Sequence, residues 1–158
     1  MTRDEALQHI KERVHTPELI LHMLATAAIM EGLAARLGQD TEKWYLTGIL
    51  HDIDYEETKD DHDRHSLLAA EWLQEMGVDE EIVHAVKSHN NHEGVERATL
   101  LDKALYATDP LSGLITATAY VMPPKPWPKS SPNPSKRSSR INPSPGAQTG
   151  IRFAASKS

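Results

Sequence analysis

Trp44-Tyr-Leu-Thr-Gly-Ile-Leu-His-Asp-Ile-Asp54 reads as an apolar helix that ends on the adjacent pair His51-Asp52. Trp44, Leu46, Ile49 and Leu50 recur at helical spacing, and Asp40 or Thr41 supplies the cap in front of them. An imidazole offers one neutral nitrogen, and a carboxylate offers hard oxygens that offset cationic charge. Side by side at a helix end, the two can reach one metal ion. A lone His-Asp dipeptide is common by chance, so its company carries the weight. His22 lies upstream on an apolar helix, His65 and His89 lie downstream, and Asp109 precedes another apolar segment.

Working outward, the remaining sequence is helical up to about residue 122. Thr2-Arg-Asp-Glu5 has the form of a capping box opening a first helix to about Val14. Thr16 and Pro17 open a second, amphipathic helix that stops near Gly38. The polar, acidic stretch 54–63 reads as a loop. A helix carrying His65, Leu68, Ala69, Trp72 and Met76 follows, closed by Gly77. Asp79 caps another, running through Ile82, Val83 and Val86 towards His89, and residues 90–96 read as a loop. A further helix is expected to start near Arg97, with Pro110 interrupting it or opening a new one. The expected fold is an all-α bundle of about six to seven helices.

Composition narrows the chemistry. The chain has 158 residues and no cysteine, so disulfides and thiolate metal sites are excluded. Nitrogen and oxygen ligands leave Mn, Fe, Mg, Zn, Co or Ni open. The net charge is -6, and the segment from Pro123 is basic with no acidic residue, so the body is more acidic than the total. An acidic body argues against nucleic acid as a main partner. By its sequence no apolar run is expected to span a bilayer and no signal-peptide pattern opens the chain, so a cytoplasmic protein without a membrane partner is expected. The sequence carries no P-loop glycine pattern and no Gly-x-Ser-x-Gly elbow, which argues against NTP motor and serine-hydrolase chemistry.

The pieces Leu19-Ile-Leu-His-Met-Leu-Ala-Thr26, Gly48-Ile-Leu-His-Asp-Ile-Asp-Tyr55, Ala85-Val-Lys-Ser-His-Asn90 and Ala104-Leu-Tyr-Ala-Thr-Asp-Pro-Leu-Ser-Gly-Leu-Ile115 together resemble the HD-domain metal-dependent phosphohydrolase superfamily, in particular its small stand-alone members. The likeness runs over about residues 19 to 122. It implies an HD-domain helical bundle that hydrolyses a nucleotide or other small phosphoester. It further implies a metal set of His22, His51, Asp52 and Asp109, holding one or two divalent ions. His65 and His89 suit a second metal, or contact substrate phosphate beside a single one. Each position also has a plainer reading. His22 can be a core histidine, Asp52 a loop acid and Asp109 the N-cap that Asp-Pro often provides. His62, His84 and His92 compete with His65 and His89. Asp54 and Lys87 are read as catalytic candidates alongside Asp52: Asp54 to orient the attacking water, Lys87 to hold a phosphate, against solvated surface for both. The expected partner is a small, nucleotide-like phosphorylated substrate, with no strong nucleic-acid signal and an open oligomeric state. The alternatives are a metal- or nucleotide-binding module without turnover, and a di-iron oxygenase on the same fold.

Residues 123–158 break the pattern. Eight of the ten prolines fall there, among Ser, Lys, Arg, Gly and Asn. Such a segment has little apolar material to offset chain entropy, so a disordered tail following a 1–122 domain is expected. A second reading is a shifted reading frame. Permitted codons for Lys125-Pro-Trp-Pro-Lys-Ser-Ser-Pro132 then give Thr-Leu-Ala-Glu-Val-Lys-Pro, similar to the C-terminal parts of small HD hydrolases.

Overall fold

A computed structural model describes residues 1–121, and the expectations for 123–158 lie outside the described residues. The described residues contain seven helices and no strand: α1 (Arg3–Arg13), α2 (Pro17–Leu37), α3 (Thr41–Leu50), α4 (Tyr55–Thr58), α5 (Leu67–Glu75), α6 (Glu80–Ser88) and α7 (Leu100–Val121). Their ends follow local chemistry. Thr2 and Glu5 close a reciprocal capping box at α1. Asp40 accepts from the Glu42 and Lys43 amides at α3, and Asp79 accepts from Glu81 at α6. Gly38 ends α2 in the left-handed region, where a side chain is costly.

α3 lies at the centre and touches α1, α2, α6 and α7. Leu46 through Leu50 are all buried, and so are His51, Asp52, Ile53 and Asp54 beyond them. A helix enclosed on every side reads as a short apolar run, which is what the sequence shows. Gly48 is required here by a close approach: a Cβ added to it would stand 2.7 Å from Ala27 Cα and 2.8 Å from Ala27 N. This small-residue contact lets α3 lie directly on α2. The main core joins Ala6, Ile10, Met23, Ala27, Ile49, Leu50, Ile53, Leu73 and Val86, and a second cluster joins Met30, Ala34, Trp44, Ala85, Leu101 and Leu105.

Four expectations need correction. The stretch read as a loop after Asp54 contains the one-turn helix α4, whose Thr58 hydroxyl donates to the Asp54 carbonyl at 2.9 Å. His65 is not on a helix but in the turn before α5, because buried Ser66 adopts a positive φ of 67° and breaks the helical path. α7 begins at Leu100 rather than near Arg97: Thr99 and Asp102 exchange backbone–side-chain hydrogen bonds of 2.8 and 3.1 Å, a capping pair. It then continues through Pro110, which lacks the N–H that would return to the Tyr106 carbonyl. Finally, α2 is long and apolar enough, by length and composition, to cross a membrane, with a mean hydropathy of 1.4 over its most apolar window. In this fold it is apolar because Met23, Thr26, Ala27, Met30 and Ala34 face the bundle.

Candidate metal centre

The helices bring six of the anticipated side chains together in two groups that share one residue. His22, His51, Asp52 and Asp109 form the first, and Asp52, His65 and His89 the second; within each group the potential ligand atoms lie within 4.8 Å of one another. His22 comes from the second turn of α2, His51 and Asp52 from the C-terminal end of α3, and His89 from the cap of α6. Asp109 comes from mid-α7, just before Pro110.

Asp52 joins the groups through its two oxygens. Its Oδ2 lies 3.3 Å from His22 Nε2 and 3.2 Å from His51 Nε2. Its Oδ1 lies 3.4 Å from both His65 Nε2 and His89 Nε2. Asp109 Oδ1 faces the first group at 3.1 Å from His22 Nε2 and 3.6 Å from His51 Nε2.

All four imidazoles are turned the same way, with Nδ1 tied outward and Nε2 directed inward. His51 Nδ1 donates to the Gly48 carbonyl at 2.8 Å, and His89 Nδ1 to the Val86 carbonyl at 2.6 Å. His65 Nδ1 donates to Asp54 Oδ1 at 2.9 Å. His22 Nδ1 donates to Ser112 Oγ at 2.9 Å; that hydroxyl donates to the Asp109 carbonyl at 3.0 Å and meets Thr26 Oγ1 at 2.8 Å. Outer partners of this kind fix the tautomer and leave the Nε2 lone pair for a metal. His22 Nε2 and His51 Nε2 are only 3.1 Å apart. Two lone pairs at that separation repel unless a proton or a metal cation lies between them.

The same crowding perturbs the titration of the metal-free cluster. Hydrogen bonds to Asp109 and Asp52 raise His22 to about 9, against its burial. Burial opposes the charged form of His51, but the Asp52 charge and hydrogen bonds to Asp109 and Asp52 outweigh it and lift the group to about 10. Burial likewise opposes charge on His65, and hydrogen bonds to Asp52 and Asp54 overcome it, giving about 9. Burial would push Asp52 and Asp109 up; the facing histidines instead hold both below the ordinary carboxylate range. The cluster therefore attracts cations strongly. With nitrogen and oxygen donors only and tautomers already set, the residues fit a divalent transition metal or Mg.

The other anticipated residues fall outside the two groups. Asp54 is fully buried, but its oxygens are taken by His65 Nδ1 and by the backbone amides of Ser66 (2.8 Å) and Ala69 (3.0 Å). It positions His65. Lys87 is exposed, and it reaches this neighbourhood through its carbonyl, which accepts from Ser66 Oγ at 3.1 Å. His92 braces the His65 turn by donating to the His65 carbonyl at 2.7 Å. His84 pairs with Asp102 at 3.2 Å, and His62 is exposed. Sequence reasoning missed Ser112. The available signal was its place three residues after Asp109, on the same face of a helix.

The HD domain family model matches residues 19–114. Ribonuclease Y of Lawsonia intracellularis is 32% identical over 99 residues, covering 63% of this chain and 19% of the relative. Ribonuclease Y of Oleidesulfovibrio alaskensis is 31% identical over 108 residues, 68% of this chain and 20% of the relative. Ribonuclease Y 2 of Levilactobacillus brevis is 30% identical over 95 residues, 60% and 17% respectively. The chain thus spans about a fifth of the length of these curated relatives. No solved structure matches it significantly.

Proposed function

From the premise that this chain belongs to the HD-domain family, we infer that it hydrolyses a phosphoester of a small nucleotide-like molecule with the help of one or two divalent metal ions. The observation that carries the reading is the Asp52 carboxylate, with one oxygen turned to each histidine group. A bound divalent ion supplies Lewis acidity towards a phosphoryl oxygen and lowers the pKa of water near neutrality.

The chain's own residues do the rest. His22, His51 and Asp109 would hold an ion with Asp52 Oδ2, and His65 and His89 a second with Asp52 Oδ1. Ser112, the Gly48 and Val86 carbonyls and Asp54 keep the four rings from turning. His51 is fully buried, whereas the Asp109 side chain is 32% exposed, so substrate reaches the centre from the Asp109 side. The relatives named as ribonucleases favour a ribonucleotide phosphoester, and the acidic net charge favours a short substrate over long RNA.

The test is a panel of nucleoside monophosphates, dinucleotides, cyclic nucleotides and short RNA assayed with each of Mn, Fe, Mg, Zn, Co and Ni. We expect turnover with at least one metal, abolished by chelator, and cut about a hundredfold or more in Asp52→Ala. Equal rates for Asp52→Ala and the parent, or metal binding with no turnover on any substrate, would defeat the reading.

A further inference from the structure

We propose that the cleft between the start of α2 and α4 seats the planar ring of the nucleotide, with Tyr55 as its stacking platform, Leu19 as its apolar wall and Lys59 as a hydrogen-bond donor to its edge. The proposal rests on the phosphohydrolase reading and adds to it where the non-reacting part of the substrate goes.

The cleft holds about 250 Å³ and is lined by Thr16, Leu19, Tyr55, Glu56 and Lys59. Both of its main walls adjoin the metal centre. Leu19 precedes His22 by three residues on α2, so the two share a helix face one turn apart. The Tyr55 ring stands edge-on to His65, with centroids 5.4 Å apart and planes at 90°. One wall therefore neighbours the first ligand group and the other wall the second.

The lining has the chemistry of a ring site. Tyr55 is 41% exposed although it packs against His65, so ring surface remains open to a ligand. Glu56 is held in place as a carboxylate, its Oε1 accepting from the backbone amides of His15 (2.9 Å) and Thr16 (2.6 Å), so its charge offsets that of Lys59 and the cleft suits an uncharged ring. Lys59 is exposed, and its ammonium is a hydrogen-bond donor for the acceptor atoms at the edge of a base. The volume also fits. Pockets that enclose a whole small ligand run to about 300–1,000 Å³, so this one takes a part of one, a single base, while the phosphate lies at the metal centre. A second cleft, lined by residues including Asp40, Lys43, Trp44 and Leu101, sits at the opposite end of α3 from His51, and its Lys43 is already paired with Asp79 and Glu81.

The test is equilibrium binding of adenosine monophosphate and of inorganic phosphate to the full chain in magnesium, with amide resonances followed during the titration. We expect the nucleotide to bind more tightly than phosphate and to shift amides at 16–19 and 55–59. Tyr55→Ala should weaken the nucleotide about tenfold, leave phosphate unchanged, and be rescued by Tyr55→Phe. Leu19→Ala serves as a second probe should Tyr55→Ala fail to fold. Equal binding of nucleotide and phosphate in the parent, or an equal loss of both in the variants, would overturn the subsite. Tyr55-dependent nucleotide binding without hydrolysis sinks the phosphohydrolase reading and keeps the subsite. Hydrolysis with a KM indifferent to Tyr55 and Leu19 does the reverse.

Discussion

Asp54 shows how much a single buried carboxylate can organise. Both of its oxygens accept hydrogen bonds, one from His65 and the other from two backbone amides. Asparagine offers only one acceptor oxygen, so Asp54→Asn leaves a buried donor unsatisfied, at a cost of about 1–3 kcal/mol. It also frees the His65 ring. We expect metal affinity in the second group to fall about 10- to 100-fold, with the first group spared; stoichiometric metal titration reads this directly. Protons give a second prediction at the same scale. His22, His51 and His65 have folded-state pKa values raised to about 9, 10 and 9. In the metal-free protein their pairing with Asp52 and Asp109 contributes stability that is complete below the unfolded histidine value of about 6.5 and is lost as pH rises through 9 to 10. The carboxylates contribute stability above their unfolded value of about 3.9, lost as pH falls through their depressed folded values. A metal needs the rings neutral, so binding near pH 7 should release protons and strengthen towards pH 9. Calorimetry in two buffers of different ionisation enthalpy measures the release; identical heats would contradict it.

At the scale of elements, the α2–α3 contact sets the distance between His22 and His51. Gly48→Ala drives a methyl group into the Ala27 backbone, which no side-chain rotation can relieve. We expect a loss of about 1–3 kcal/mol in denaturant unfolding, together with weaker metal binding, because the two rings move apart. A stable variant with unchanged affinity would show that the contact does not set the centre. The helix ends at Thr2, Gly38, Asp40 and Asp79 were legible in the sequence because each cap is made by neighbours in the chain. The convergence of His22, His51, Asp52, His65, His89 and Asp109 was legible only through the resemblance. Periodicity alone left His65 on a helix, since nothing local announces the positive φ of Ser66. The positioning work of Asp54 and Ser112 was hidden because their partners are distant: Ser112 lies 90 residues from His22, and Ala69 lies 15 from Asp54. Thr99-Leu-Leu-Asp102 carries a capping signal in the sequence itself, three residues apart, that marks the start of α7 better than Arg97 does.

Across the whole molecule, the inward-facing ligands come from α2, the end of α3, the turn before α5, the end of α6 and α7. An ion bound there ties together segments that otherwise meet through apolar packing and a few hydrogen bonds such as Ser112 to His22, and it is released when the chain unfolds. Stability should therefore rise by about 1.4 kcal/mol for each tenfold increase in free metal above the dissociation constant. Thermal unfolding at a series of buffered metal concentrations checks this, and a Tm independent of metal would refute it. In a chain with no cysteine, the centre does the work of a disulfide, but one whose strength is set by supply. In a cell starved of the metal, the protein would open more often and be cleared sooner by proteases, so its abundance would follow metal nutrition before any change in its synthesis.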